Sequence, residues 1–226
     1  MKSSSAKLAG SLTAVAGVAA GLVAAYALVV RPWHLRWGAT DDECREPLPG
    51  DELTRDVKLS STHAVSIDAP PSEVWPWIVQ IGQDKGGFYS YTWLENMVGC
   101  QMYNADEIVP RYQHVEVGDK MWLHPKAPPL PILIVEQQRA LVMGSNTDEA
   151  GTWGFYLKAI ASNRTRLIVR GRGERKPGAL SWLGHHVLFE PAHFVMERKM
   201  LIGIKQRAER ERTEKPAKHV DFAISD

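Results

Sequence analysis

Glu190, His193 and Glu197 follow one another three and four residues apart, and Glu95 closes the aromatic run Tyr89-Ser90-Tyr91-Thr92-Trp93-Leu94-Glu95. On a helix, residues three and four apart share a face, so the first three make one cluster of carboxylates and imidazole. Such groups, brought into a pocket, can exchange protons with a bound molecule. His63 is a further group of that kind. It falls on the apolar parity of a strand pattern, where a hydrogen-bonded core histidine is the plainer reading. Glu95, His63 and His193 are therefore the candidates for acid/base work. Glu190-Pro191-Ala192-His193 is formally an E-x-x-H, a metal-ligand spacing in helical bundles, but that chemistry needs a second such motif and further carboxylates. None stands at matching spacing, and no metal or cofactor is expected.

The remaining inventory suits apolar capture. Tyr89, Tyr91 and Trp93 lie behind the paired Gly86-Gly87, and Tyr103, Trp122, Trp153 and Tyr156 follow. These side chains offer wide apolar faces with polar tips, the lining of a site that buries a hydrophobic ligand and fixes it with few hydrogen bonds. With Glu95, Glu190, His193, Phe194 and Glu197 they form the expected set of ligand contacts. The chain has no GxSxG, HExxH, P-loop, Rossmann fingerprint or paired CxxC, so hydrolase, metalloprotease and nucleotide-binding readings lack their defining residues.

These groups need elements to hold them. Residues 57–67 read as a strand, with Val57, Leu59, Val65 and Ile67 on one parity and Lys58, Ser60, Thr62 and Ser66 on the other. Ala69-Pro70-Pro71-Ser72-Glu73-Val74-Trp75 starts a helix, because proline loses nothing in a first turn where its N–H would have no partner. Val74, Trp77 or Ile78, and Ile81 continue it at helical spacing; Gly82 stops it and Pro76 should bend it. Residues 114–124 and 132–144 carry short apolar runs parted by Gly118-Asp119 and a proline-rich stretch, the texture of an antiparallel meander. Residues 152–160 and 164–172 pair as a hairpin around Ser162-Asn163. In its second strand Arg164, Arg166, Arg170 and Arg172 share one parity. They read as a solvated outer face rather than an anion site, since four unpaired guanidinium groups inside a cavity would be costly. Residues 190–212 form a long last helix with Phe194, Glu197, Leu201, Ile204 and Ala208 on one stripe.

Composition sets the outer bounds. With 44% hydrophobic and 23% charged residues and a net charge of +1, the chain has room for one globular domain and carries no nucleic-acid footprint. Residues 8–30 are uncharged and exceed the roughly 20 residues that a helix needs to cross a bilayer. Arg31, Trp33 and Trp37 follow as an interfacial anchor pattern. A retained single-pass anchor is favoured over a signal peptide, whose apolar region is shorter. The side of the membrane holding the domain stays open, because Lys2 and Lys7 balance Arg31, Arg36 and Arg45. The anchor is expected to pack on none of the domain, and Gly17 with Gly21 makes a GxxxG through which two copies can weakly pair. Cys44 and Cys100 read as an exposed thiol and a small buried hydrophobe. The division expected is an anchor at 1–31, a polar linker with room to fold back at 32–56, the domain at 57–215 and a polar tail at 216–226.

Strand, proline-led helix, aromatic connector, meander and long last helix is an order that resembles the SRPBCC superfamily, also called START-like or polyketide cyclase and lipid transport-like. Pro71, Val74 and Trp75 match its first helix, Gly118-Asp119 the turn into its second strand, and residues 190–200 its gripping helix. The blocks from Tyr89 to Asn96 and Asn104 to Pro110 resemble a membrane-associated bacterial branch. The resemblance implies an α+β helix-grip fold, a curved antiparallel sheet wrapped around the C-terminal helix, here preceded by one N-terminal transmembrane helix. The function it implies is membrane-anchored binding or transfer of a hydrophobic small molecule (lipid, isoprenoid or polyketide-like) in an internal cavity, with the bilayer engaged through residues 8–30. A cyclase or dehydratase working in the same cavity and a ligand-independent assembly module are the alternatives.

Overall fold

The structure is a computed structural model that describes residues 17, 18, 21, 23–145, 151–174, 178, 186 and 189–214. Six strands pair antiparallel in the order β1-β6-β5-β4-β3-β2: β1 Leu59–Ile67, β2 Lys120–Met121, β3 Leu130–Glu136, β4 Ala140–Ser145, β5 Gly151–Ala161 and β6 Arg164–Gly173. The hairpin expected around Ser162-Asn163 closes with Ala161 opposite Arg164, and β1 returns to pair along the whole of β6, from Leu59 opposite Gly173 to Ile67 opposite Thr165.

The helices are α1 Arg31–His34, α2 Asp41–Arg45, α3 Pro71–Val79, α4 Thr92–Met97 and α5 Glu190–Glu214. Helix α3 begins at Pro71, whose missing N–H is among the donors that a first turn leaves unpaired anyway, and it continues through Pro76. Helix α5 lies across one face of the sheet, as its stripe requires: Leu201, Ile204 and Ala208 are fully buried against Ile132, Leu141, Met143, Phe155, Leu157, Leu167 and Val169. Val74, Trp77 and Ile78 of α3 join the same core. This is a helix-grip-like α+β arrangement.

The other face of the sheet is covered too, which corrects the expected solvated arginine face. Leu48 packs with Ala64, Ala140, Val142, Tyr156 and Ile168 in a second cluster, so residues 32–56 form a cover rather than a free linker. Thr40 and Glu43 exchange side-chain-to-backbone hydrogen bonds in a capping box that fixes α2. From α2, Glu43 takes Arg166 in two hydrogen bonds of 2.7 and 2.9 Å. Arg170, 2% exposed, donates to Asp51 at 2.6 Å and to the carbonyl of Glu46 at 2.9 Å, while Arg172 pairs with Asp51 at 2.9 Å. The guanidinium groups are tolerated because the cover brings carboxylates to them.

The cover also closes an open edge. The N–H groups of Thr62 and Ala64 on β1 donate to the carbonyls of Leu35 and Trp37, so the edge strand is paired by irregular chain. Gly38 follows with φ +75, and a Cβ there would stand 2.1 Å from the carbonyl oxygen of Ala64. Only glycine permits that approach.

Among the described residues, no helix is long and apolar enough to cross a membrane. Most of the 8–30 segment, and the tail at 216–226, lie outside the described residues. The expectation that the segment packs on none of the domain does not hold at its C-terminal end. There the Tyr26 hydroxyl donates to the carbonyl of His186 at 2.6 Å, and Arg31, the residue after it, donates to both carboxylate oxygens of Glu190 at 2.8 and 2.9 Å.

Candidate functional site

A cavity of about 580 Å³ opens between the first turns of α5 and the end of the sheet nearest them. Its walls are Leu59, Ser61 and His63 of β1, Trp153 of β5, Gly171 of β6, and Phe194, Met196, Glu197 and Met200 of α5. Phe88 and Glu95 from the aromatic connector, Leu123, Leu130, His34 and Leu35 join them, with Arg172, Glu190 and His193 among the polar members. Gly171 pairs with Trp153 across the two strands, so the large indole faces a position without a side chain and the space beside it stays open.

Helix α4 delivers Glu95 with inverted polarity. Trp93 and Met97 are 63% and 69% exposed, while Glu95 between them is 2% exposed. Both carboxyl oxygens are buried with no hydrogen-bond partner among the described residues, and burial pushes this carboxyl above the usual carboxylate range. Cys100, whose N–H donates to the Glu95 carbonyl, is pushed up by its own burial and by that carboxyl.

Glu197 is equally buried but provided for. His63 Nδ1 lies 3.5 Å from one of its oxygens and His193 Nδ1 lies 3.2 Å from the other. Burial alone would push Glu197 up, but His193 and His63 outweigh it and the carboxyl is held below its usual range. Burial works against the charge on His63 as well. The Glu197 carboxylate, with the carbonyl of His34 at 2.7 Å from Nε2, prevails and holds the imidazole above its usual value. The site thus carries two glutamates pushed in opposite directions, one raised by burial and one lowered by imidazoles.

Glu190 sits at the cavity edge, where burial raises its carboxyl and the Arg31 guanidinium, with His186 at 2.9 Å, more than reverses that. His34 is held neutral by burial. The Tyr26 hydroxyl spends its proton on the His186 carbonyl, so the 3.2 Å contact with His34 Nε2 assigns the imidazole proton to that nitrogen. Among the described residues, no group of three His, Cys, Asp or Glu side chains is placed to hold a metal ion.

Of the residues singled out in the sequence, Glu95, Trp153, Glu190, His193, Phe194, Glu197 and His63 line this cavity. The other aromatics are placed elsewhere. Tyr89 is core: its hydroxyl donates to the Trp77 carbonyl at 3.0 Å, and its backbone lies so near Gly203 that a Cβ there would stand 2.4 Å from its carbonyl oxygen. Tyr91 lies outside the cavity under the Lys199 ammonium, 5.8 Å from its ring. Trp93 and Tyr103 are exposed, and Trp122 is half-buried away from the walls. Tyr156 is on the outer face of the sheet, its hydroxyl donating to the Pro49 carbonyl at 2.8 Å. Sequence reasoning missed His34, Phe88, Met196 and Met200. The methionines flank Glu197 at helical spacing, a signal that was present. His34 carried none, because its role depends on the cover.

No family model matches the chain, and no curated protein matches it. Solved structures overlap with it in part. A polyketide cyclase-like protein from Corynebacterium glutamicum is 12% identical over 71% of this chain and 97% of its own, with a TM-score of 0.36. A protein from Nitrosomonas europaea is 12% identical over 74% of this chain and 99% of its own, with a TM-score of 0.44. The Aha1 protein from Colwellia psychrerythraea is 12% identical over 67% of this chain and 96% of its own, with a TM-score of 0.38. Overlaps of this size place the chain in no family.

Proposed function

We propose that this chain binds a hydrophobic small molecule, lipid-, isoprenoid- or polyketide-like, in the cavity at the start of α5, and exchanges it with a membrane held close by residues 8–30. The observation that carries the reading is the cavity itself. Its volume of about 580 Å³ is in the range of small-molecule sites, and the surface its walls present is chiefly apolar, with Glu95, Glu197, His63 and His193 among its polar groups. Support for the membrane comes from the uncharged run at 8–30 and from where its end is tied. Tyr26 and Arg31 bond to His186 and Glu190, the latter at the cavity edge, and the exposed Trp33 packs edge-on against Phe194 of the cavity wall. A cavity tethered beside a bilayer meets bilayer-dissolved ligand at high effective concentration.

The test is mass spectrometry of small molecules that co-purify with the detergent-extracted full chain, together with titration of the neutral solvatochromic dye Nile red. A bound apolar molecule and saturable dye binding that competes with it are expected. Absence of both would leave the assembly reading as the better one.

One observation favours a second reading, an enzyme of cyclase or dehydratase type. Glu197 orients His193 through Nδ1, and Glu95, its carboxyl pushed up by burial, lines the same cavity, so an imidazole and a carboxyl are both at hand for acid/base work. Incubating the protein in deuterium oxide with its co-purified molecule separates the two. A carrier returns the molecule unchanged, whereas an acid/base enzyme alters it or exchanges its activated hydrogens.

A further inference from the structure

The cavity's carboxyl groups are unequally matched. Glu190 has Arg31 and His186, and Glu197 has His63 and His193. Glu95, at 2% exposure, has neither a donor nor an acceptor on its carboxyl among the described residues, yet it belongs to the cavity wall. A buried polar group without a partner is costly, and an ion in that position far more so. Burial alone acts on it, with no neighbouring charge among the described residues to hold a carboxylate. Glu95 is therefore a neutral acid with an O–H to give, in keeping with the upward push that burial exerts on it.

Resting on the binding function above, we infer that the ligand is uncharged and that its apolar body carries a hydrogen-bond-accepting carbonyl oxygen, of a ketone, aldehyde or ester, which takes the Glu95 O–H. The partner that the described residues do not provide is supplied by the ligand. A carboxylate or phosphate head would enter beside Glu190 and Glu197, whose cationic partners are already engaged, and beside Glu95. The one arginine of the described lining, Arg172, is itself paired with Asp51, and like charges in a low-dielectric site repel strongly. An ammonium head would have to lose its water and ionise Glu95 in the same apolar wall. That buries two charges where the carbonyl and the neutral acid bury none. The surface that the rest of the wall presents is chiefly apolar, so the body of the ligand is chiefly hydrocarbon.

The test compares four probes of one length, 2-tridecanone, tridecanoic acid, tridecylamine and tridecane, as displacers of Nile red from the full chain at pH 7. The ketone should displace the dye at concentrations about 10-fold lower than the acid or the alkane, the gain of one buried hydrogen bond. Glu95→Leu should bring the ketone down to the level of tridecane and leave tridecane within about twofold of wild type. Glu95→Gln keeps an N–H donor and should retain most of the ketone's advantage. Should the leucine variant fail to fold, wild type and Glu95→Gln across the four probes still decide. An acid that competes as well as the ketone, an amine that competes best, or a ketone no better than the alkane would each overturn the inference while leaving the cavity a binding site. Failure of Nile red itself to bind strikes instead at the binding function.

Discussion

His63 Nδ1 stands 3.5 Å from Glu197 Oε1, while its Nε2 lies 2.7 Å from the carbonyl oxygen of His34. A carbonyl only accepts, so Nε2 carries a proton, and the carboxylate favours a second proton on Nδ1, which raises the imidazole above its usual value. The pair ties β1 to α5 in the cavity wall.

The pair makes stability depend on pH from two sides. His63 is held above 6.5, so its contribution is complete below that value and is lost as pH rises through the raised one. Glu197 is held below 4.5, so its contribution is complete above that value and is lost as pH falls through the lowered one. Urea denaturation should therefore give a maximum of the pair's contribution between pH 4.5 and 6.5. Glu197→Gln should cost about 3 kcal/mol there, since it leaves a buried imidazolium without its counter-ion. The loss should shrink at alkaline pH, where His63 gives up its proton. A loss that does not change with pH would mean that Glu197 acts through packing alone.

Glu95 has the opposite sign. Its carboxyl is held above 4.5 in the folded chain, so folding costs more as pH climbs past that value. Cys100, the thiol that feels this carboxyl, is itself pushed up and stays neutral near pH 7. Glu95→Gln should melt at a higher temperature than wild type at pH 7.5, and that difference should fall away near pH 4. Differential scanning calorimetry across this range checks it. A melting difference equal at both ends would show that Glu95 does not titrate between them.

Arg170 is the counterpart on the outer face. It is 2% exposed and bonds to Asp51, Thr62 and the carbonyl of Glu46. Arg170→Ala should cost about 4 kcal/mol by leaving Asp51 facing an emptied site. The outer cover should become a preferred site of limited proteolysis. If residues 32–56 stay as resistant as before, the cover is held by Leu48 and Tyr156 rather than by charge.

The sequence made the gripping helix legible because its signal is local: Phe194, Glu197, Leu201, Ile204 and Ala208 recur at one helical spacing, and all of them are buried. The hairpin was legible for the same reason, as alternation within one short segment. The arginines of β6 were misread because parity says which side chains share a face, not what covers that face. The carboxylates of Glu43 and Asp51 come from more than a hundred residues earlier in the chain. Tyr156 fell to the same ambiguity, being apolar-faced with a polar tip and therefore equally suited to a cavity wall or to a seat under Pro49. In α4 the pattern was visible but its direction was not. Trp93 and Glu95 stand two apart, on different helical faces, and burial of the acid with exposure of the indole inverts the usual preference.

Arg31 is expected to matter more to the cavity than to the fold. Its two hydrogen bonds with Glu190 join the end of the 8–30 segment to the first residue of α5. At a site about one third exposed on the arginine side, Arg31→Ala should cost only about 1 kcal/mol. Hydrogen exchange of the first turns of α5 should nevertheless rise, since those turns lose their tie. Unchanged exchange there, with the same small loss of stability, would mean that Tyr26 alone holds the segment in place.

Trp93 separates exposure from burial directly. At 63% exposure, its replacement by alanine should shift the melting temperature by less than about 1 °C, in keeping with surface substitutions. Met97 is one helical turn along and 69% exposed, so the two form an apolar edge on the segment that carries Glu95. If the proposed exchange with a membrane runs past this edge, Trp93→Ala with Met97→Ala should slow transfer of Nile red from the protein to phosphatidylcholine vesicles several-fold while leaving its equilibrium affinity unchanged. Stopped-flow fluorescence reads the rate and titration reads the affinity. A double variant that transfers dye at the wild-type rate would take α4 out of the exit route, and a variant that loses affinity instead would return Trp93 to the cavity wall where the sequence had put it.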